Sequence, residues 1–222
     1  ATLTETGFAV TGNLMAVSQG TLTVSAAATP GDQTVIIGAT QVSMVGLVFT
    51  AGSAENIRIT KVKLSSVENA SLTMTNDLSN FALYDESTIL TTKKGWDTSA
   101  TTVTFSASDF LNSSGVDVTK GSQKVITVKA DLASTGTGAH KIALGIATST
   151  DGVPRETTTT DVIFTGLDSN TTPDTNISYG SNLLGVNYNP NGHADLNYVT
   201  LSAKGSLTVA ISADTPDINI VT

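Results

Sequence analysis

Apolar residues recur at every second position through most of this chain, and that spacing limits the fold more than any other feature. Ile126, Val128, Ala130 and Leu132 alternate with Thr127, Lys129 and Asp131. A period of two puts the first set on one face of an extended strand and the second set on the other. Val103 and Phe105 alternate in the same way within 101–106, as do Ile142, Leu144 and Ile146 within 139–148. Further strands are expected at 20–27, 33–38, 41–50, 69–75, 80–85, 159–164 and 198–203. In 55–64 the apolar positions are Ile57 and Ile59, then Val62 and Leu64. The extra residue between the pairs exchanges the two faces, which predicts a β-bulge.

The segments between these runs are rich in turn residues. Ser134-Thr135-Gly136-Thr137-Gly138 predicts a hairpin joining 122–132 to 139–148, and Asp151-Gly152 and Asn191-Gly192 mark further turns. Asp85-Glu86 is also read as a hairpin turn. On a strand its two carboxylates would point to opposite faces, so they cannot flank a scissile bond together. The one helical turn expected is 106–112, with Ser106 or Ser108 capping Phe110 and Leu111. Segment 166–197 alternates poorly and is expected to form long surface loops. Many short strands with little helix predict an all-β fold, an immunoglobulin-like or jelly-roll-type β-sandwich with long surface loops. The expected division is an N-terminal extended segment 1–19, a sandwich domain 20–204 and a C-terminal strand segment 205–222.

Composition narrows the partners. Only 14% of residues are charged and the net charge is −8, with Lys and Arg scattered. No basic stripe is available for phosphates, so no nucleic-acid partner is expected. No apolar run approaches the roughly 20 residues of a membrane helix, so no membrane insertion is expected. Cysteine is absent, which removes disulfides and thiolate metal sites. Polar Thr2, Thr4 and Glu5 directly after Ala1 do not read as a signal peptide. A start at Ala rather than Met suggests a processed N-terminus, so the chain is expected outside the cell or on its surface after removal of a secretion signal.

An internal echo carries the most functional content. Residues 20–30 and 205–216 share Gly, Leu-Thr-Val and Thr-Pro, with one residue inserted in the second copy. Either 205–216 opens a second copy of the domain, or it is a tail that mimics a strand of its own fold. A detached strand cannot bury its apolar face alone and seeks a sheet edge on a neighbour. Leu207, Val209 and Ile211 share one face, and Ile218 and Ile220 follow Pro216 in a second short alternation. Phe8 and Val10 make the N-terminal segment the competing donor strand.

The run from Gly20 to Pro30, with Gly38-Ala-Thr40, Val45 to Thr50, Phe81 to Asp85 and Lys120 to Val128, resembles secreted β-sandwich repeat proteins of prokaryotic cell surfaces. In architecture the chain also resembles donor-strand-linked filament subunits such as TasA-like fibres and archaeal bundling pili. The resemblance implies a structural subunit of an extracellular filament or surface layer, with copies of itself as partners in a homopolymer built by strand exchange. The alternative is a β-sandwich module of a multidomain adhesin that binds glycan or another surface protein through loops 150–197. Trp96, Tyr179, Tyr188 and Tyr198 are the aromatics available to stack on host or cell-surface glycans.

No catalytic motif is present, and the chain is expected not to be an enzyme. His140 and His193 are the only histidines, read as a strand-edge and a loop residue. Asp168, Asn170 and Asp174 are the candidate oxygen ligands for calcium, the metal that best suits the chain. Asn69, Asn112, Asn170 and Asn176 lie in Asn-x-Ser/Thr sequons and are candidate glycosylation sites.

Overall fold

The computed structural model describes residues 18–68, 77–98, 102–135, 140–146, 161–172, 177–179 and 198–205. Its strands are β1 (Leu22–Ala26), β2 (Gln33–Ile36), β3 (Val42–Ala51), β4 (Ile57–Glu68), β5 (Leu78–Asp85), β6 (Thr88–Ile89) and β7 (Thr102–Ser106). They continue with β8 (Val116–Val118), β9 (Gln123–Leu132), β10 (Lys141–Gly145), β11 (Val162–Gly166), β12 (Ile177–Tyr179) and β13 (Val199–Ser202). One sheet runs β12-β1-β3-β9-β5-β6, the other β11-β4-β10-β13-β2 with β7 and β8 also on β4.

Seven of these strands, β1, β3, β4, β5, β9, β10 and β13, follow the chain order A to G. They lie as β1-β3-β9-β5 in one sheet and β4-β10-β13 in the other. That is the A-B-E-D and C-F-G arrangement of an immunoglobulin-like sandwich. Strand β2 extends the second sheet by pairing parallel to β13, from Val199↔Gln33 to Ser202↔Ile36. The protein is an all-β sandwich of immunoglobulin-like strand order.

The period-two residues fill the space between the sheets. Leu22, Val24, Leu47, Phe49, Leu83, Ile126 and Val128 from the first sheet meet Ile57, Ile59, Val62, Leu64, Phe105, Ile142, Leu144, Val162 and Phe164 from the second in one continuous core. The expected bulge is present. Opposite β11 the register shifts between Ile163 and Phe164, which leaves Thr60 as the extra residue and brings both Ile57/Ile59 and Val62/Leu64 to the core. A second bulge, at Met44 in β3, changes face in the same manner.

The predicted hairpin between 122–132 and 139–148 does not form. Both strands exist, but β9 is central in the first sheet, with β3 on one edge and β5 on the other, so it has no edge left for β10. β10 crosses to the second sheet and pairs with β4 and β13. Expectation and structure also differ in 166–197, where Ile177–Tyr179 form a strand parallel to Leu22–Val24. Such a three-residue strand is too short to leave a period. The expected helical turn shrinks to a 3₁₀ turn at Ala107–Asp109, and it is the Asp109 carboxylate that accepts the Ser106 N–H at 2.7 Å. The turn at Asp85-Glu86 is as expected, with Glu86 at φ 54 between paired Asp85 and Thr88. Residues 69–75, Asp151-Gly152 and Asn191-Gly192 lie outside the described residues.

Strand β4 organises the second sheet. β10 pairs with Ser65–Glu68 and β11 with Ile57–Val62 along the same edge, so the two are halves of one strand line separated by 146–161. β7 and β8 divide the opposite edge in the same way.

Gly46, in β3, marks a close approach of backbones. Ala27 N–H donates to its carbonyl at 2.8 Å, and a Cβ on Gly46 would collide with the Thr29 carbonyl oxygen, a backbone atom. The Gly46→Ala substitution is expected to cost about 1–3 kcal/mol, measured by urea unfolding. The control is Gly31→Ala, where nothing lies within contact range and little change is expected.

Candidate strand-exchange site

The first strand of the sandwich is held by a small set of specific contacts. β1 pairs antiparallel with β3 over Leu22↔Ala51 to Ala26↔Leu47, and among the described residues its other edge carries β12, over Leu22 to Val24. Leu22 and Val24 are 1% and 0% exposed and point into the core, while Thr23 faces solvent. Thr21 carbonyl accepts the Gly52 N–H at 2.9 Å, and Gly52 has no side chain where the Thr21 hydroxyl lies. A Cβ on Gly20 would sit 3.0 Å from Ile57 Cγ2, tighter than most real contacts. After β1 the chain turns through a cis Thr29–Pro30 bond and passes to β2 in the other sheet.

Gly20 is anchored by Glu55, a carboxylate only 3% exposed. Glu55 Oε1 accepts the Gly20 N–H at 2.8 Å and the Ser169 hydroxyl at 2.8 Å. Oε2 accepts the N–H groups of Asp168 at 3.0 Å and Ser169 at 2.8 Å. One side chain thus joins the entry to β1, the entry to β4 and the turn after β11. The Ser169 N–H leads in holding the Glu55 pKa below its ordinary value. Burial pushes the other way, and the Ser169 hydroxyl and the Gly20 and Asp168 N–H groups add to the lowering.

At another point of contact between the sheets, His140 Nδ1 lies 2.8 Å from Asp77 Oδ2, both side chains buried. Asp77 carbonyl accepts the Ala133 N–H at 2.9 Å, and His140 carbonyl accepts the Leu201 N–H at 2.8 Å. His140 therefore precedes a strand, as expected, but it is a buried tie between the sheets and not a solvated edge residue. No sequence pattern pairs it with Asp77, 63 residues away.

The candidate donor residues Phe8, Val10, Leu207, Val209, Ile211, Ile218 and Ile220 lie outside the described residues, as do Asn69, Asn176, Asp174 and His193. Asn112 and Asn170 are exposed. The Asn112 Nδ2 group donates to the Gly115 carbonyl at 2.7 Å, while its Oδ1 accepts the N–H groups of Ser114 and Gly115 at 3.0 Å. Asn170 takes a positive φ of 52 in the turn around Glu55. That turn directs the backbone N–H groups of Asp168 and Ser169 at a carboxylate, and among the described residues no cluster of three His, Asp or Glu is placed to hold a metal ion. Trp96 packs edge-on against Phe81 with ring centroids 4.6 Å apart, and its indole N–H donates to the Leu78 carbonyl at 3.1 Å. It closes the open side of β5. The described residues include no helix long and apolar enough to cross a membrane.

No protein-family model matches this chain, and no curated protein matches it. Solved structures with some similarity include the seventh ScaB type I cohesin from Pseudobacteroides cellulosolvens, at 12% identity and a TM-score of 0.31, covering 86% of this chain and 98% of that one. Another is the Coh-OlpC–Doc435 complex from Clostridium thermocellum, a type I cohesin–dockerin complex, at 9% identity and a TM-score of 0.29, covering 87% and 100%. Scores this low carry nothing about partner or function.

Proposed function

We propose that this chain is a non-enzymatic structural module of an extracellular or cell-surface assembly, and that it joins other polypeptide chains by exchange of a strand near a sheet edge. The observation that supports this is the placement of β1. It is a five-residue strand, tied to the rest of its sheet by β3 and bordered beyond by three residues of β12. Replacing it by an equivalent strand leaves the central β3-β9-β5 ladder intact, and backbone hydrogen bonds with alternate apolar pockets supply the recognition.

The buried polar groups favour structure over catalysis. Glu55 gathers three chain segments, the Asp77–His140 pair joins the two sheets, and the Thr91 hydroxyl accepts the Leu83 N–H at 3.0 Å. Each is engaged in holding elements of the sandwich together. A glycan-binding module draws less support, since Trp96 already donates its indole N–H to the Leu78 carbonyl and packs against the Phe81 ring.

The full chain is expected to form concentration-dependent multimers or filaments, seen by light scattering and negative-stain microscopy. A variant ending at residue 204 should stay monomeric. A full chain that remains monomeric at every concentration overturns the proposal.

A further inference from the structure

We infer that the donor is residues 205–216 of a second copy of this chain, entering the site of β1 in the register of residues 20–30; this rests on the strand-exchange reading above. The two segments read Gly-Thr-Leu-Thr-Val-Ser-Ala-Ala-Ala-Thr-Pro and Gly-Ser-Leu-Thr-Val-Ala-Ile-Ser-Ala-Asp-Thr-Pro. Placed on the structure, the matches fall where the β1 site is most demanding. Gly20 has a buried amide on Glu55 and a tight contact in place of any Cβ, and its counterpart is Gly205. Leu22 and Val24 fill closed pockets, and their counterparts are Leu207 and Val209. Thr21, whose hydroxyl sits over Gly52, is answered by Ser206, which keeps the hydroxyl.

The differences fall mainly at the end of the ladder. Ser25, Ala26 and Ala27 are half-buried at the end of the ladder, and Ala210, Ile211 and Ser212 replace them. The inserted residue comes just before Thr215-Pro216, matching the stretch where Ala28 and Thr29 are exposed. All three buried positions of residues 20–30, Gly20, Leu22 and Val24, keep their residue type in the second segment. The donor is acidic only at Asp214, so it brings one carboxylate to a site whose anchor, Glu55, accepts hydrogen from a glycine amide.

The register predicts a cross-link. Thr23 pairs with Thr50, so an incoming Thr208 takes the place opposite Thr50, on the outer face. The chain has no cysteine to interfere. The full chain carrying both Thr50→Cys and Thr208→Cys, oxidised after assembly, is expected to give a ladder of disulfide-linked multimers. Ala210→Cys with Thr50→Cys, two residues out of register, should give less than about a tenth of that yield, because bridged Cα atoms must lie within roughly 7 Å. Leu207→Asp should abolish the ladder. Multimers that form without the in-register cross-link overturn this inference and leave strand exchange standing. A cross-link confined to monomers overturns transfer between copies. Absence of multimers altogether overturns both readings.

Discussion

Glu55→Ala lowers the unfolding free energy by roughly 3–5 kcal/mol, the largest effect expected of any polar substitution in the described residues. The reason is local. Four donors converge on one buried carboxylate, and alanine leaves the N–H groups of Gly20, Asp168 and Ser169 and the Ser169 hydroxyl without their acceptor. Glu55→Gln recovers only part of the loss. Its one carbonyl oxygen can keep two of the bonds, but the NH2 group that replaces the other oxygen confronts two donors with a third. Chemical denaturation and calorimetry would read these changes, the alanine variant melting on the order of 10 °C lower. An alanine variant as stable as the parent chain would show that the clasp contributes nothing.

The same site sets a pH dependence. Glu55 has a lowered pKa in the folded state, so ionised Glu55 stabilises the fold above its ordinary value of 4.5. That contribution is lost as the pH falls from there through the lower folded-state value. Asp117 is held low in the same direction, first by its hydrogen bonds from Arg58, with Nη2 2.9 Å from Oδ2. For Asp131, burial acts to raise the pKa, but the Gln41 N–H, the Asn80 amide and Lys93 together bring it below the ordinary value. Stability should therefore decline as the pH falls from the ordinary carboxylate values through the lowered folded-state ones, and Glu55→Gln should flatten that decline.

Asp77→Ala is expected to cost about 3 kcal/mol. It leaves His140 Nδ1 buried at the boundary between the sheets with its partner removed. His140→Ala should cost a similar amount, and the double variant should cost clearly less than the sum of the two. That shortfall is the coupling a double-mutant cycle measures. Additive losses would mean that the 2.8 Å contact contributes nothing.

Periodicity made most of the strands legible because burial on one face imposes it. The bulge at Thr60 was readable for the same reason, since Ile57 and Ile59 could not share a face with Val62 and Leu64 in a regular strand. Turn residues were less informative. The Gly-rich segment after β9 suits a hairpin and a crossing between sheets equally well, and only the occupancy of both β9 edges decides between them. The buried polar residues were not legible at all. Glu55 and Asp77 look in sequence like any surface carboxylate, because what buries them comes from partners 114 and 63 residues away.

By itself, then, the sequence determined an all-β chain with strands placed near their observed positions, a low charge density, and a first strand echoed near the C-terminus. These are properties of local spacing and composition, and spacing follows from which face of each strand is buried. The tertiary structure alone decided which strands are neighbours, that β1 lies between β3 and the short outer strand β12, and that the glycine amide before it meets a buried carboxylate. Strand neighbours depend on contacts between residues far apart in the chain, and no local period encodes them.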